Sequence, residues 1–262
     1  MSNPIFYQDS VFFKILRQTV FYVALFFVWK FLFNLKLWPS YLFPSPEQVG
    51  ETLVVGFKDR SFPIAILITM KRLLIGYGLS IFFGVPIGLL IGKIKVLDET
   101  FGGFFVGIQT LPSICWLPLA ILWFGLSESA ILFVVVMGAL MAISIGTHDA
   151  VKTMPPIYTR AAMTLGVRGL RLYREIILPA ALPGIVTALK QGWTFAWRSL
   201  MSGELLFENP GLGHLLQKAR GGNDMPLVVA VMIIIMTLGW SVDRFIFSAL
   251  EQRLRRQRGM SL

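Results

Sequence analysis

The polar residues of this chain are gathered between six long apolar runs. These fall at about 12–36, 64–92, 101–124, 129–147, 182–206 and 226–250. Each is near the ~20 residues that a helix needs to cross ~30 Å of hydrocarbon. The runs are continuous and do not alternate apolar with polar positions, which argues against a β-barrel. The pattern predicts an all-α integral membrane protein with six transmembrane helices, residues 1–262 forming one transmembrane domain.

Local signals refine these elements. The second run carries Gly76, Ser80, Gly84, Gly88 and Gly92, each four residues after the last. Small residues at that spacing let helix backbones approach closely in lipid. Pro112 and Pro118 interrupt the third run, so a kink or an unwound turn is expected there. Between the first two runs, Ser45 and Pro46 read as an N-cap and first-turn pair. They open a surface helix whose apolar face is expected to hold Leu53, Val54 and Phe57.

Charge sets the orientation. Only 15% of residues are charged, against roughly 25% in a soluble domain, and the mean hydropathy is +0.70. The net charge of +10 is read as the excess of Lys and Arg that holds cytosolic loops inside. The partner it implies is the lipid bilayer and not nucleic acid. An inside N-terminus places Lys14, Arg17, Lys93, Lys95, Lys152, Arg160, Arg168, Arg171, Arg174, Arg253, Arg255, Arg256 and Arg258 in the cytosol. Lys36, Lys58, Arg60, Lys218 and Arg220 then lie outside, so both termini are expected to be cytosolic. Lys14 and Arg17 precede the first run without a small-x-small cleavage site, so that run reads as an anchor.

Catalytic chemistry is hard to assemble. Cys115 is the only cysteine, and His148 and His214 are the only histidines. No metal site, cofactor or enzymatic activity is expected. Residues 88–93, GLLIGK, imitate a phosphate-binding loop. They have one residue too few between the glycines and no Ser or Thr after the lysine. Charges in or near the runs are Lys30, Lys71, Arg72, Lys190, Arg198, Glu204 and Arg244. Most sit near ends where long side chains can snorkel, with Arg198 and Glu204 deeper.

The segment 151–181 falls on the cytosolic side. Pro155 and Pro156 suit the first turn of a helix, and Gly166 can end it with a positive φ. A second helix is expected over about 168–177, stopped by Pro179 and Pro183. Ala161 and Ala162 offer little bulk, so another surface can approach. Amphipathicity alone also fits a loop lying on lipid headgroups.

The spacing is more specific: Ala161, Ala162, Gly166, Ile176, Leu178 and Pro179 give A-A-x3-G-x9-I-x-L-P. This resembles the EAA loop of the membrane subunits of ABC importers, with Arg160 where the family has Glu. The stretches 42–49 (LFPSPEQV), 122–126 (LWFGL), 196–206 (AWRSLMSGELL) and 210–216 (PGLGHLL) extend the likeness over roughly 40–255. Together they are similar to the nitrate/sulfonate/taurine/bicarbonate branch.

The resemblance implies a type I ABC importer permease fold with a cytosolic coupling helix in a bacterial inner membrane. It implies a homodimer, two ATP-hydrolysing ABC subunits on the cytosolic face and an extracytoplasmic substrate-binding protein. A small anion such as an alkanesulfonate, taurine, nitrate or bicarbonate would be the solute. Arg160, Ala161, Ala162, Leu165, Gly166, Arg168, Ile176, Leu178 and Pro179 would form the ATPase-coupling surface. Arg160 would then need a carboxylate or carbonyl on the ATPase.

The fifth run is the expected lining of the path. Trp193, Trp197 and Glu204 share one helical face, with Arg198 beside it and Ser202 following. A cation inside a span is costly unless paired or wetted. Arg198 therefore either meets an anionic solute or pairs with Glu204 or another helix. The outer loop 207–225, with Pro210, Gly211, Gly213, Gly221 and Gly222, either meets the binding protein or is a glycine-rich connector. A self-sufficient secondary transporter or channel is the alternative, and an integral-membrane enzyme is a further rival.

Overall fold

The computed structural model describes residues 11–39 and 41–257. Arg258 and the side chains of Lys14, Arg255 and Arg256, which entered the charge asymmetry, lie outside that description. All regular elements among the described residues are helices: α1 (Val11–Asn34), α2 (Pro46–Lys58), α3 (Ser61–Lys93), α4 (Lys95–Gln109), α5 (Ser113–Phe124), α6 (Glu128–Lys152), α7 (Pro156–Thr164), α8 (Gly169–Leu206), α9 (Leu212–Gly221) and α10 (Met225–Leu254). Five of them (α1, α3, α6, α8 and α10) are long and apolar enough to cross a membrane, and α4 with α5 makes a sixth, broken passage.

The core is a three-helix stack of α3, α6 and α8. Its buried side chains include Leu73, Ile131, Val135, Ile143, Trp193 and Leu200. In lipid, apolar burial gives no net drive for helix association, so close packing must hold the stack. The small-residue row of α3 supplies it. A Cβ on Gly88 would lie 2.3 Å from the Ser144 carbonyl oxygen, and one on Gly76 2.6 Å from Val135. Gly84 and Gly92 face Ile143 and Val151 in the same seam.

Two departures from the sequence pattern have clear causes. The third run is two helices, α4 and α5, bent by 99°. Pro112 sits at the break, where it removes a ladder donor. Pro118 lies in the first turn of the α-helical part of α5, where proline is tolerated, and kinks nothing. The helix expected over 168–177 does not stop at Pro179. It runs on as α8, through a π turn at Tyr173–Ile177 placed just before the proline. A wider turn accommodates the missing donor where a regular ladder would break.

At one end of the stack, α2 begins at a capping box in which Ser45 Oγ accepts from the Gln48 amide. Its inward face is buried Val49 and Gly56 with half-buried Leu53, while Val54 and Phe57 are exposed. Gly56 leaves room for the Phe62 ring. The helix α1 is tied to the start of α2: the Trp29 indole donates to the Pro44 carbonyl, and Lys30 pairs with Glu47. That lysine holds the Glu47 carboxyl below its ordinary range.

Gly88→Leu should therefore loosen the α3–α6 seam by roughly 1–3 kcal/mol, an overpacking cost. Gly78→Leu, with open space around it, should be tolerated. The midpoint of thermal unfolding in detergent separates the two.

Candidate functional site

Three features carry chemistry, at the two ends and the middle of the stack. The first is the α7 segment. Its helix ends in a Schellman motif: Val167 N donates to Ala162 O at 3.0 Å, and Gly166 N to Met163 O at 3.0 Å. Gly166 has φ +79°, which glycine adopts without strain. Ala162, Leu172 and Ile177 form a small core with Val151, Met154 and Val167. That core fixes α7 to the last turn of α6 and the first turns of α8.

The expected coupling residues divide between two faces. Arg160, Ala161, Leu165, Gly166, Arg168, Leu178 and Pro179 are exposed, whereas Ala162 is buried and Ile176 half-buried. Only Ala161 of the alanine pair is open to approach; Ala162 faces the core because that side of α7 must cover Leu172 and Ile177. Leu165 and Leu170 are each more than 80% exposed, and Ile157 is 66% exposed. With the Arg160 guanidinium unpartnered among the described residues, this is an apolar patch with a basic rim, the composition of a protein-docking surface.

The second feature closes the opposite end. Glu204, near the end of α8, is fully buried, and Arg72 is 2% exposed. Arg72 Nη1 donates to Glu204 Oε1 at 2.9 Å and to the Pro210 carbonyl at 2.7 Å, while Nη2 pairs with Glu128. Thr69 Oγ1 donates to the Glu204 carboxylate and accepts from the Leu212 amide at 2.9 Å. The Gly213 amide donates to Glu204 Oε2 at 3.0 Å. A Cβ on Gly211 would lie 2.6 Å from the carboxylate, and one on Gly213 2.5 Å from Glu204 Cβ. These two glycines are thus needed for the loop to close over the charge.

This geometry revises the expected path. Glu204 faces Arg72 and no solvent, and Arg72 is buried in an ion pair, not snorkelling from a helix end. Trp193 is buried, edge-on to Tyr77 at 5.4 Å. Trp197 is half-buried, its indole against Gly239. The face that these residues share points into the bundle.

The third feature is the other face of α8. Thr187, Gln191, Thr194 and Arg198 are exposed at spacings of four, three and four, with Ser202 half-buried beyond them. Arg198 makes no side-chain hydrogen bond or ion pair among the described residues. It sits about 12 Å from the helix end at ~1.5 Å per residue. Beside this face, the α4–α5 break forms a cavity of about 180 Å³ lined by Gln109, Thr110, Ser113, Trp116 and Phe195. The sequence reasoning missed Thr187, Gln191 and Thr194. Their helical spacing was available as a signal, but the two tryptophans mark the neighbouring face.

Comparison with known proteins identifies the family and the fold. Residues 84–256 match the family described as binding-protein-dependent transport system inner membrane component. A putative ABC transporter permease protein of Methanocaldococcus jannaschii is 34% identical over 208 residues, covering 78% of each chain. The nitrate import permease protein NrtB of Synechocystis is 26% identical over 253 residues, covering 93% of this chain and 90% of the relative. The fold matches a chain of the inward-facing MetNI methionine ABC transporter with a TM-score of 0.65 at 18% identity, over 74% of this chain and 96% of that one.

Removing one partner of a buried ion pair leaves the other charge stranded, at a cost of about 3–5 kcal/mol. Glu204→Ala and Arg72→Ala should each lose that much stability. The double variant Arg72→Met with Glu204→Leu should lose less than the sum. Arg198→Gln should leave the unfolding midpoint unchanged. The comparison is made by thermal unfolding of the purified chain.

Proposed function

The chain belongs to the family of binding-protein-dependent transport system inner membrane components, and from that membership we propose how its surfaces divide the work of import. It is the permease subunit of an ABC importer and not an enzyme: ATP hydrolysis lies in partner subunits, and a binding protein delivers the solute. In our reading, two copies surround a central path, two ATPase subunits sit on the cytosolic face, and both termini lie on that face. The excess of Lys and Arg at the α7 end supports this orientation. The chain acts as a single transmembrane domain with a cytosolic coupling segment at 151–181.

The observation that carries the coupling role is the rigid α7 knob, capped at Gly166 and presenting Arg160, Ala161, Leu165 and Arg168 outward. ATP-driven movement of the docked subunit shifts this knob and the ends of α6 and α8 with it. Arg160 requires a carboxylate or carbonyl on the ATPase. Ala162 and Ile176 contribute from inside, by fixing the knob to the bundle.

The polar face of α8 is proposed as the path lining. A row of polar groups exposed within the membrane needs water or a second copy to cover it. A central path between two copies supplies both. An unpaired Arg198 there favours a small oxyanion or sulfonate such as nitrate, taurine, an alkanesulfonate or bicarbonate. Trp193, Trp197 and Glu204 support this helix from behind, and Ser202 borders the lining.

Two measurements on the transporter reconstituted with its ATPase and binding protein test these roles. Gly166→Val forces a β-branched residue to a positive φ and should abolish ATP-driven uptake while ATP hydrolysis continues. Arg160→Glu should weaken assembly with the ATPase. Normal uptake and assembly in both would remove the coupling assignment. Arg198→Gln should cut nitrate or taurine uptake by about tenfold or more, from a lost charge-assisted contact, with assembly intact. Unchanged uptake of every anion that the wild type carries would make Arg198 a packing residue.

A further inference from the structure

The break in the third passage leaves polar side chains without partners beside the proposed path. Gln109 ends α4 and Ser113 begins α5, and both are half-buried. The Gln109 amide and the Ser113 hydroxyl make no hydrogen bond among the described residues. Both line the cavity of about 180 Å³ at the break, which α6 and α8 wall on the other sides. Thr110 lines it too, but its hydroxyl already donates to the Gly107 carbonyl at 2.6 Å. Gly138 of α6 lets the helices converge here. A Cβ on it would run into Ser199 Oγ of α8 and lie 3.1 Å from Ser113 Oγ.

The lining selects the chemistry that fits. A primary amide and a hydroxyl both bring free donors. Left unsatisfied away from water they are costly, whereas an oxyanion accepts from both. No titratable side chain lines the cavity, so an ammonium group would find no counter-charge in it. The remaining wall is largely apolar and includes Trp116, Met137 and Phe195. Phe195 and Arg198 are three apart on α8 and so are neighbours on its surface, which puts a cation next to the α8 wall. The volume is below the roughly 300–1,000 Å³ of drug-sized sites, so the molecule that fits is small.

We propose that the α4–α5 break is a solute subsite for short alkanesulfonates, with Gln109 and Ser113 as specificity-determining contacts. The sulfonate oxygens accept from the Gln109 amide and the Ser113 hydroxyl, and Arg198 supplies the balancing charge. The alkyl group lies against Trp116 and Phe195. Nitrate has nothing to set against those rings. Taurine brings an ammonium group to a site that has no carboxylate and adjoins a cation. The subsite rests on the reading of α8 as the path lining and narrows the solute within it.

The test is saturation-transfer NMR of ethanesulfonate on the transporter assembled with its ATPase in lipid nanodiscs. The binding protein is left out, so that the preference of the permease itself is read. Binding should saturate, with the methyl protons receiving the strongest transfer. Nitrate and taurine should compete at least about tenfold more weakly than unlabelled ethanesulfonate, the scale of a small group in a fitted pocket. Gln109→Leu and Ser113→Ala should each raise the dissociation constant about tenfold, the weight of one charge-assisted hydrogen bond. Their thermal unfolding midpoints should match the wild type, because neither side chain holds a partner in the fold; a lowered midpoint would assign them to packing. Binding that does not saturate, equal competition by nitrate or taurine, or unchanged affinity in either variant overturns the subsite. Arg198→Gln separates this inference from the reading beneath it. If it weakens every anion while the Gln109 and Ser113 variants bind as the wild type does, the α8 path stands and the subsite falls. If it changes nothing while those two variants lose ethanesulfonate, the subsite stands and the charge role of Arg198 falls.

Discussion

A carboxylate without solvent must be matched by donors, and at Glu204 that requirement fixes where several elements meet. The donors come from α3, through Arg72 and Thr69, and from the Gly213 amide in the first turn of α9. Glu128 at the start of α6 takes the other terminal nitrogen of the Arg72 guanidinium. The stack of α3, α6 and α8 cannot slide at this end without stranding a buried charge. The glycine-rich loop before α9 is part of the lock, because side chains at Gly211 and Gly213 would occupy the space of the carboxylate.

The opposite end is held differently. There the tie is the small α7 core, the Lys93–Tyr173 contact and the Asp98–His148–Lys152 cluster, the last two closer to solvent. Exposed ion pairs contribute little individually, so this end can shift at small cost while the Glu204 end holds. Between them runs the α3–α6 seam, in which Gly88 brings the two backbones into direct contact. A close-packed seam transmits displacement between its ends instead of absorbing it. An importer subunit driven from one face has use for that asymmetry: one end firm, one end movable, and a stiff connection.

The break between α4 and α5 lies where that connection meets the proposed path. Irregular backbone at membrane depth is tolerated where protein or a water-filled cavity covers it. Here it faces Phe195 of α8, one helix turn from Arg198. The same helix thus carries a packed face, with Trp193 and Ala196, and a polar face, with Gln191, Thr194 and Arg198. Its position is set by the first and its chemistry by the second.

Helical class and the apolar stretches were fixed by composition and run length, because a chain in lipid must satisfy its backbone within each segment. The spacing from Ala161 to Pro179 carried the family likeness, and Gly166 could be read as a positive-φ cap because few residues other than glycine tolerate that conformation. Side-chain partners were beyond reach of the one-dimensional pattern. Arg198 and Glu204 were close in sequence and invited pairing, yet Glu204 meets Arg72, which is 132 residues away, and Arg198 is left open. The inward and outward faces of α8 were likewise not decided by which residues share a stripe, since Trp193 and Arg198 lie on neighbouring faces and only the placement of α3 and α6 buries one of them. Local sequence sets what a helix can offer along its length; which offer is taken up depends on long-range contacts that only the assembled tertiary structure brings within hydrogen-bonding distance.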